Sequence, residues 1–241
     1  MEYTLQPLGD QAVIIELGDE ISNDIQKKIH LVTAYLDAEA PSWIIEYIPA
    51  FTTITIFYEP VMLARLCNHQ VLPYEYACKL IDDLLKTITG NKAAEPRVIK
   101  IPVCYGGEFG PDLETVAKIN GLTTDEVIHI HAGGDYSVFM IGFAPGFPFI
   151  GGMSESIAAP RRDTPRLKIP ARTVGIAGMQ TGVYPIETPG GWQLIGRTPI
   201  ELFRPDDEIP SLLHAGDKVQ FFPISLEEYK EWENDNNDNH H

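Results

Sequence analysis

YSVFMIGFAPGFPFIGG, residues 136–152, decides how the second half of the chain is read. It opens as a β-branched and aromatic run, Tyr136 to Ile141, of the kind that favours extended backbone. The run breaks at Gly142-Phe143-Ala144-Pro145-Gly146-Phe147. Gly142 and Gly146 permit close backbone approach or positive φ, and Pro145 and Pro148 stiffen the loop. Phe143, Phe147 and Phe149 place large apolar groups in that stiff segment. Two readings follow: a core loop that plugs a barrel, or a rigid wall of a small-molecule pocket.

Working outward, the surrounding sequence is rich in Gly and Pro with short apolar runs. Ile99–Val103, Val127–His131, Val174–Ala177, Gly182–Pro185, Gln193–Arg197 and Lys218–Phe222 read as further strands, and Glu114–Ile119 as one short helix. Many short strands separated by turn residues predict a barrel or closed sandwich. The last stretch, residues 227–241, is acidic and asparagine-rich and reads as a fraying, disordered tail. His240 and His241 have the look of a tag remnant.

The first part has a different texture. Leu5–Leu8 and Ala12–Leu17 flank the turn signal Gly9-Asp10 and predict a hairpin. Ser22 or Asn23 caps a helix with Ile25, Ile29, Val32 and Leu36 on one face. Trp43–Ile48 and Thr52–Tyr58 read as strands, and Leu80, Leu84 and Ile88 mark a second helical zone. Helices over a small sheet give an α+β domain at residues 1–90. The small, polar segment Gly90–Pro96 reads as the boundary, with a barrel domain at residues 91–226.

The 241 residues are 44% hydrophobic, enough for real cores, and carry a formal net charge of −16. Such an acidic chain is repelled by phosphate backbones and anionic membranes, which argues against nucleic-acid or membrane partners. No stretch approaches the roughly 20 apolar residues of a membrane helix, and the N-terminus lacks signal-peptide character. Cys67, Cys78 and Cys104 form no CxxC pair, as expected for reduced thiols in a cytoplasmic protein.

Against that acidity, PRRDTPRLKIPAR (residues 160–172) concentrates five cations: Arg161, Arg162, Arg166, Lys168 and Arg172. They are either solvated surface charge or an anion pocket, where arginine forks grip carboxylate or phosphate. Gly175–Gly182 and Thr188–Pro199 add backbone donors around Gln180, Trp192 and Gln193. Neither is a Walker A loop or a dinucleotide fingerprint. His129 and His131, two apart, share a face if Val127–His131 is a strand. His131 is a structural histidine, or a general acid/base or hydrogen-bond donor. No third ligand has metal-site spacing, so no metal site is expected. Neither a Ser-His-Asp set nor a nucleophile elbow is present.

YSVFMIGFAPGFPFIGG, PRRDTPRLKIPA, GIAGMQTGVYPIETPGGWQLIGRTPIELF and HAGDKVQFFPI together resemble the family of the B component of bacterial 5-oxoprolinase. That family is also called allophanate hydrolase subunit 1, includes a sporulation histidine-kinase inhibitor, and is similar to the carboxyltransferase region of urea carboxylase. QPLGDQAVIIELGDEI and EYIPAFTTITIFYEP are similar to its N-terminal portion. The resemblance implies an α+β N-terminal domain followed by a mainly β, cyclophilin-like barrel. It implies one part of a multisubunit ATP-dependent lactam hydrolase, inactive alone, that uses ATP and Mg2+ in a complex. With the homologous C component it would phosphorylate 5-oxoproline for ring opening to L-glutamate by the A component. The alternatives are an inhibitor of a sensor histidine kinase and a non-catalytic small-anion binding subunit. By matching motif positions, His131, Arg161, Arg166 and Gln193 are the implied catalytic residues. Phe143, Pro145, Gly146, Phe147, Gln180, Tyr184, Gly190, Gly191, Trp192 and Arg197 are the implied substrate- or nucleotide-binding residues. One departure is visible: the family commonly reads Pro-Ala-Gly-Ser-Val where this chain has Pro170-Ala171-Arg172-Thr173-Val174.

Overall fold

The computed structural model describes residues 1–39, 41–88 and 96–238. The chain divides into two compact units, residues 1–95 and 96–241. Most of the expected boundary segment, and His240 and His241, lie outside the described residues.

The first unit contains β1 (Thr4–Leu8), β2 (Ala12–Glu16), α1 (Asn23–Glu39), β3 (Ile44–Pro49), β4 (Thr53–Tyr58), α2 (Pro60–Leu66) and α3 (Pro73–Ile88). Its strands form one antiparallel sheet in the order β1-β2-β4-β3. Alternation along β4 sends Ile54, Ile56 and Tyr58 to one face, where Val13 and Ile15 of β2 lie opposite in register. Ile29, Val32 and Leu36 of α1 and Ala77, Ile81, Leu84, Leu85 and Ile88 of α3 cover that face. Their three-and-four spacing is what a helix needs to present one apolar stripe. Each buried Val, Leu or Ile side chain among them contributes about 1.5–3 kcal/mol. Ser22 Oγ accepts from the Ile25 amide at the start of α1.

The second unit contains β5 (Val98–Tyr105), α4 (Leu113–Asn120), α5 (Thr124–Ala132), β6 (Tyr136–Ile141), β7 (Pro148–Gly151), β8 (Arg166–Ile169), β9 (Thr173–Ala177), β10 (Gln180–Val183), β11 (Thr188–Gly190), β12 (Gln193–Arg197), β13 (Lys218–Pro223) and α6 (Leu226–Asp238). Seven strands close into a barrel in the order β10-β7-β6-β13-β5-β12-β9, with β9 and β10 joined as a hairpin. Closure leaves the barrel no open edge. All neighbours are antiparallel except β13 and β5, which run parallel over Lys218–Pro223 and Val98–Val103. The remaining strands, β8 and β11, pair only with each other and form a two-stranded flap.

Strand alternation gives the barrel two different faces. Ile101, Val103, Tyr136, Val138, Ile150, Val174, Ile176, Val183, Ile195, Val219 and Phe221, drawn from all seven strands, meet in the interior. Val116 and Ala117 of α4 and Val127 of α5 pack onto the same core. On the opposite face, Ala177 of β9 and Leu194 of β12 join Phe147, Tyr184, Trp192 and the flap residue Ile169 in a separate cluster.

Two expectations are corrected. Val127–His131 is helix, not strand: Thr123 Oγ1 accepts from the Glu126 amide and Glu126 reaches back to the Thr123 amide. This capping box outweighs the β-branched run, and helical spacing turns Val127 and His131 to the same buried face. The expected tail is α6. Ser225 and Glu228 exchange the same reciprocal pair of bonds at its start. Tyr229 is 1% exposed, its ring 4.6 Å from that of Phe109. No described helix is long and apolar enough to cross a membrane.

Candidate functional site

The loop after β6 does not plug the barrel; it packs on the barrel's outer face. Phe147 is its centre. Its ring centroid lies 5.3 Å from Phe143, 5.0 Å from Phe149, 5.2 Å from Tyr184 and 5.5 Å from Trp192, all edge-on. Edge-to-face packing is the favoured arrangement of aromatic quadrupoles. Gly182 of β10 makes room for it, since a Cβ there would stand 3.1 Å from both the Phe147 and Trp192 rings and 2.8 Å from the Pro148 carbonyl. Gly146 has φ +73°, and a Cβ there would lie 2.9 Å from Cβ of Phe203. The loop's other left-handed residue is Phe143 at φ 70°, not Gly142. A left-handed non-glycine costs about 1–2 kcal/mol, and Phe143 remains 65% exposed at the loop tip.

The flap completes a cavity of about 280 Å³ against this aromatic face. Phe143, Phe147, Phe149, Tyr184 and Trp192 form its apolar walls, and Pro165, Pro189, Gly190 and Gly191 close the flap side. Arg161 is the cation in the lining. Its backbone is tethered on both sides: Gln193 Nε2 donates to the Pro160 carbonyl at 2.9 Å, and the Arg162 amide donates to the Gly191 carbonyl at 2.7 Å. Burial raises the Tyr184 hydroxyl to about 12, partly opposed by the Trp192 amide and by the charges of Arg161 and Arg166. It therefore stays protonated at neutral pH and is a donor rather than an anion.

The five cations separate by partner. Arg166 makes a bidentate pair with Asp112, Nη1 to Oδ2 and Nη2 to Oδ1, each 2.8 Å. Arg162 reaches Asp112 Oδ1 at 3.1 Å, and Lys168 pairs with Glu187 at 3.0 Å. Arg172 reaches Glu233 at 2.7 Å and the Pro199 carbonyl at 3.2 Å. No carboxylate among the described residues pairs with Arg161. Arg172 has φ 69°. That backbone favours glycine, which accounts physically for the glycine of the family pattern at this position.

The implied site residues are thus only partly together. Phe143, Phe147, Arg161, Tyr184, Gly190, Gly191 and Trp192 line the cavity. Arg166 is flap-borne opposite Gly190, but its guanidinium is engaged by Asp112. Pro145 is exposed at the loop tip, and Gly146 packs on Phe203. Gln180 begins β10 outside the lining. Arg197 donates to the Ala171 carbonyl and lies 5.6 Å from the Phe109 ring centroid. Gln193 is buried and acts through Pro160, so its amide donor serves the loop rather than a ligand.

His131 requires the largest correction. It is fully buried on α5, with its ring 4.6 Å from Phe221. Thr181 Oγ1 donates to the Gly175 carbonyl, so it accepts from His131 Nε2 at 2.9 Å. Nδ1 is then the acceptor for the Tyr105 hydroxyl at 2.7 Å. Burial pushes the imidazole down to about 3, so it is neutral at working pH. It locks the barrel interior and is absent from the cavity lining.

Phe149, Pro165, Pro189 and Asp112 were not among the expected site residues. The first three sit inside the quoted motifs. Asp112 carried one available signal, an Asp directly before the apolar-periodic segment of α4. Among the described residues, no group of three or more His, Cys, Asp or Glu is placed to hold a metal ion.

Comparison with known proteins adds the family. The family model for the carboxyltransferase domain, subdomain C and D, matches residues 3–213. The B component of 5-oxoprolinase from Bacillus subtilis (strain 168) is 49% identical over 238 residues, 98% of this chain and 99% of that protein. The protein of the same name from Escherichia coli O157:H7 is 42% identical over 218 residues, 90% of this chain and 94% of that one. The Kluyveromyces lactis urea carboxylase structure shares the fold at TM-score 0.73 and 20% identity, over 97% of this chain and 23% of that one. The chain belongs to the 5-oxoprolinase B-component family, within the carboxyltransferase-domain group of subdomains C and D.

Proposed function

We propose that this chain is the B component of an ATP-dependent 5-oxoprolinase and that the cavity under the flap receives 5-oxoproline. The observation that carries this reading is the aromatic box with Arg161, the lining cation without a carboxylate partner, at its wall. A small ring carrying one carboxylate matches both parts: the ring against aromatic faces, the carboxylate on the guanidinium. The protonated Tyr184 hydroxyl supplies a donor for a polar atom of the lactam. Likeness to proteins named as this component of 5-oxoprolinase supports placement in a multisubunit hydrolase. We assign the barrel to the cyclophilin-like type on the family resemblance.

The cavity residues do not by themselves make a nucleotide site. Phosphoryl transfer is stabilised by several fixed cations and a magnesium held by acidic or hydroxyl ligands, whereas this lining offers one arginine and no carboxylate. We therefore place ATP and Mg2+ in the assembled enzyme with the C component, which with this chain activates the lactam. The A component then completes hydrolysis, and this chain is inactive alone.

The test is to combine the chain with the A and C components and follow ATP hydrolysis that depends on 5-oxoproline. The expected result is turnover in the full mixture and none with this chain alone. Arg161→Ala should raise the KM for 5-oxoproline at least about tenfold, the loss of one charge-assisted fork. Absence of turnover in a mixture whose A and C components work with another B component overturns the assignment. Unchanged KM in Arg161→Ala overturns the site.

A further inference from the structure

Asp112 is 3% exposed and stands at the N-terminal boundary of α4. An aspartate there ordinarily accepts a bond from an amide of its own first turn. This one makes no such bond. Its Oδ2 instead accepts from the Leu194 amide at 2.7 Å, while its own amide donates to the Leu194 carbonyl at 2.9 Å. The same carboxylate receives Arg166 through both guanidinium nitrogens and Arg162 through one. One side chain therefore ties together the start of α4, strand β12, the flap strand β8 and the loop that carries Arg161.

We infer that Asp112 is a positioning residue for the cavity: it occupies the fork of Arg166 and one nitrogen of Arg162, fixes the flap, and leaves Arg161 to meet the ligand. Without it, three arginines within six residues of sequence would compete for any anion. With it, the lining presents one open fork, and the site selects anions with one charged group over those with two. This selectivity rests on the small-anion reading of the cavity; the engagement of the two arginines does not.

The test has two arms. Phenylglyoxal labelling with peptide mapping reads guanidinium availability in the unaltered protein, alone and assembled. Arg161 should react at least about tenfold faster than Arg166, whose bidentate pair shields both nitrogens. In Asp112→Asn, that difference should disappear. Equal rates at Arg161 and Arg166 in the unaltered protein overturn the inference. The second arm titrates 5-oxoproline and glutarate, one carboxylate against two, into the assembled enzyme by calorimetry, with a melting curve for each variant. The ratio of the two affinities should shift about tenfold toward glutarate in Asp112→Asn as Arg162 and Arg166 are released. A folded variant with an unchanged ratio overturns the selectivity claim. If the unaltered enzyme binds neither probe, the cavity assignment falls and the selectivity with it, while the labelling arm still decides whether Asp112 holds the arginines.

Discussion

The two faces of the same barrel strands do opposite work. On β9 and β12, Val174, Ile176 and Ile195 face an interior of aliphatic side chains with Tyr136 and Phe221, where the buried His131 is neutral. One residue along, Ala177 and Leu194 pack with Phe147, Tyr184, Trp192 and the flap residue Ile169. A period-two strand carries both sets without either constraining the other. The interior can be optimised for stability while the exterior holds charge and strain. The cavity proposed to receive the ligand therefore lies on the outside of this barrel, under a flap.

The sharpest way to break that division is Asp112→Ala, because it leaves two arginines and a strand amide without their buried partner. We expect a loss of about 3 kcal/mol, the low end for breaking a buried pair because both guanidinium groups retain some exposure. Urea denaturation measures it. A loss under about 0.5 kcal/mol, ordinary for a surface site, would show that the exterior does not depend on this anchor.

The interior is tested by acid. The folded-state value for His131, about 3, lies below the ordinary 6.5. The unfolded chain therefore takes up the proton first. Stability from this residue is complete above 6.5 and falls as pH drops from 6.5 toward 3, by about 1.4 kcal/mol per unit. His131→Gln removes the titration. The difference between wild-type and variant stability should carry this slope between pH 6 and about 4. Parallel pH curves would mean that His131 does not titrate as a buried neutral group.

The smallest effect lies where flap joins barrel, at Arg172. Arg172→Ala keeps the left-handed backbone and loses the Glu233 pair, whereas Arg172→Gly loses the pair and relieves the backbone. The glycine variant should be the more stable by about 1 kcal/mol, measured by thermal melting. If alanine is equal or better, the strain at φ 69° is not real.

How much of this was legible follows the same split. Strands such as β6, β9 and β12 announced themselves through β-branched residues between glycines and prolines. α5 did not, because Val127, Ile128 and Ile130 mimic a strand; Thr123 and Glu126, three apart, were the signal that outranked them. α6 was hidden by its acidic composition, and only Ser225 and Glu228 marked its start. In the candidate site, the aromatic loop read equally as a barrel plug or a pocket wall, and only the fold puts Phe147 and Trp192 together on the outer face. Which arginine is open could not. Arg161, Arg162 and Arg166 are equivalent in sequence, and a carboxylate 50 residues from Arg162 separates them. His131 was misplaced for a related reason: burial, not spacing, sets its chemistry.

The parallel seam between β5 and β13 carries a consequence for biosynthesis. The first barrel strand waits for the last, 120 residues apart where Val98 meets Lys218. Until β13 leaves the ribosome, β5 and β6 both present raw backbone, a hazard for stray strand pairing. At roughly 5–20 residues per second of translation, that exposure lasts seconds. Contacts of such long range also slow closure itself. Closure of the second unit therefore cannot precede synthesis of β13.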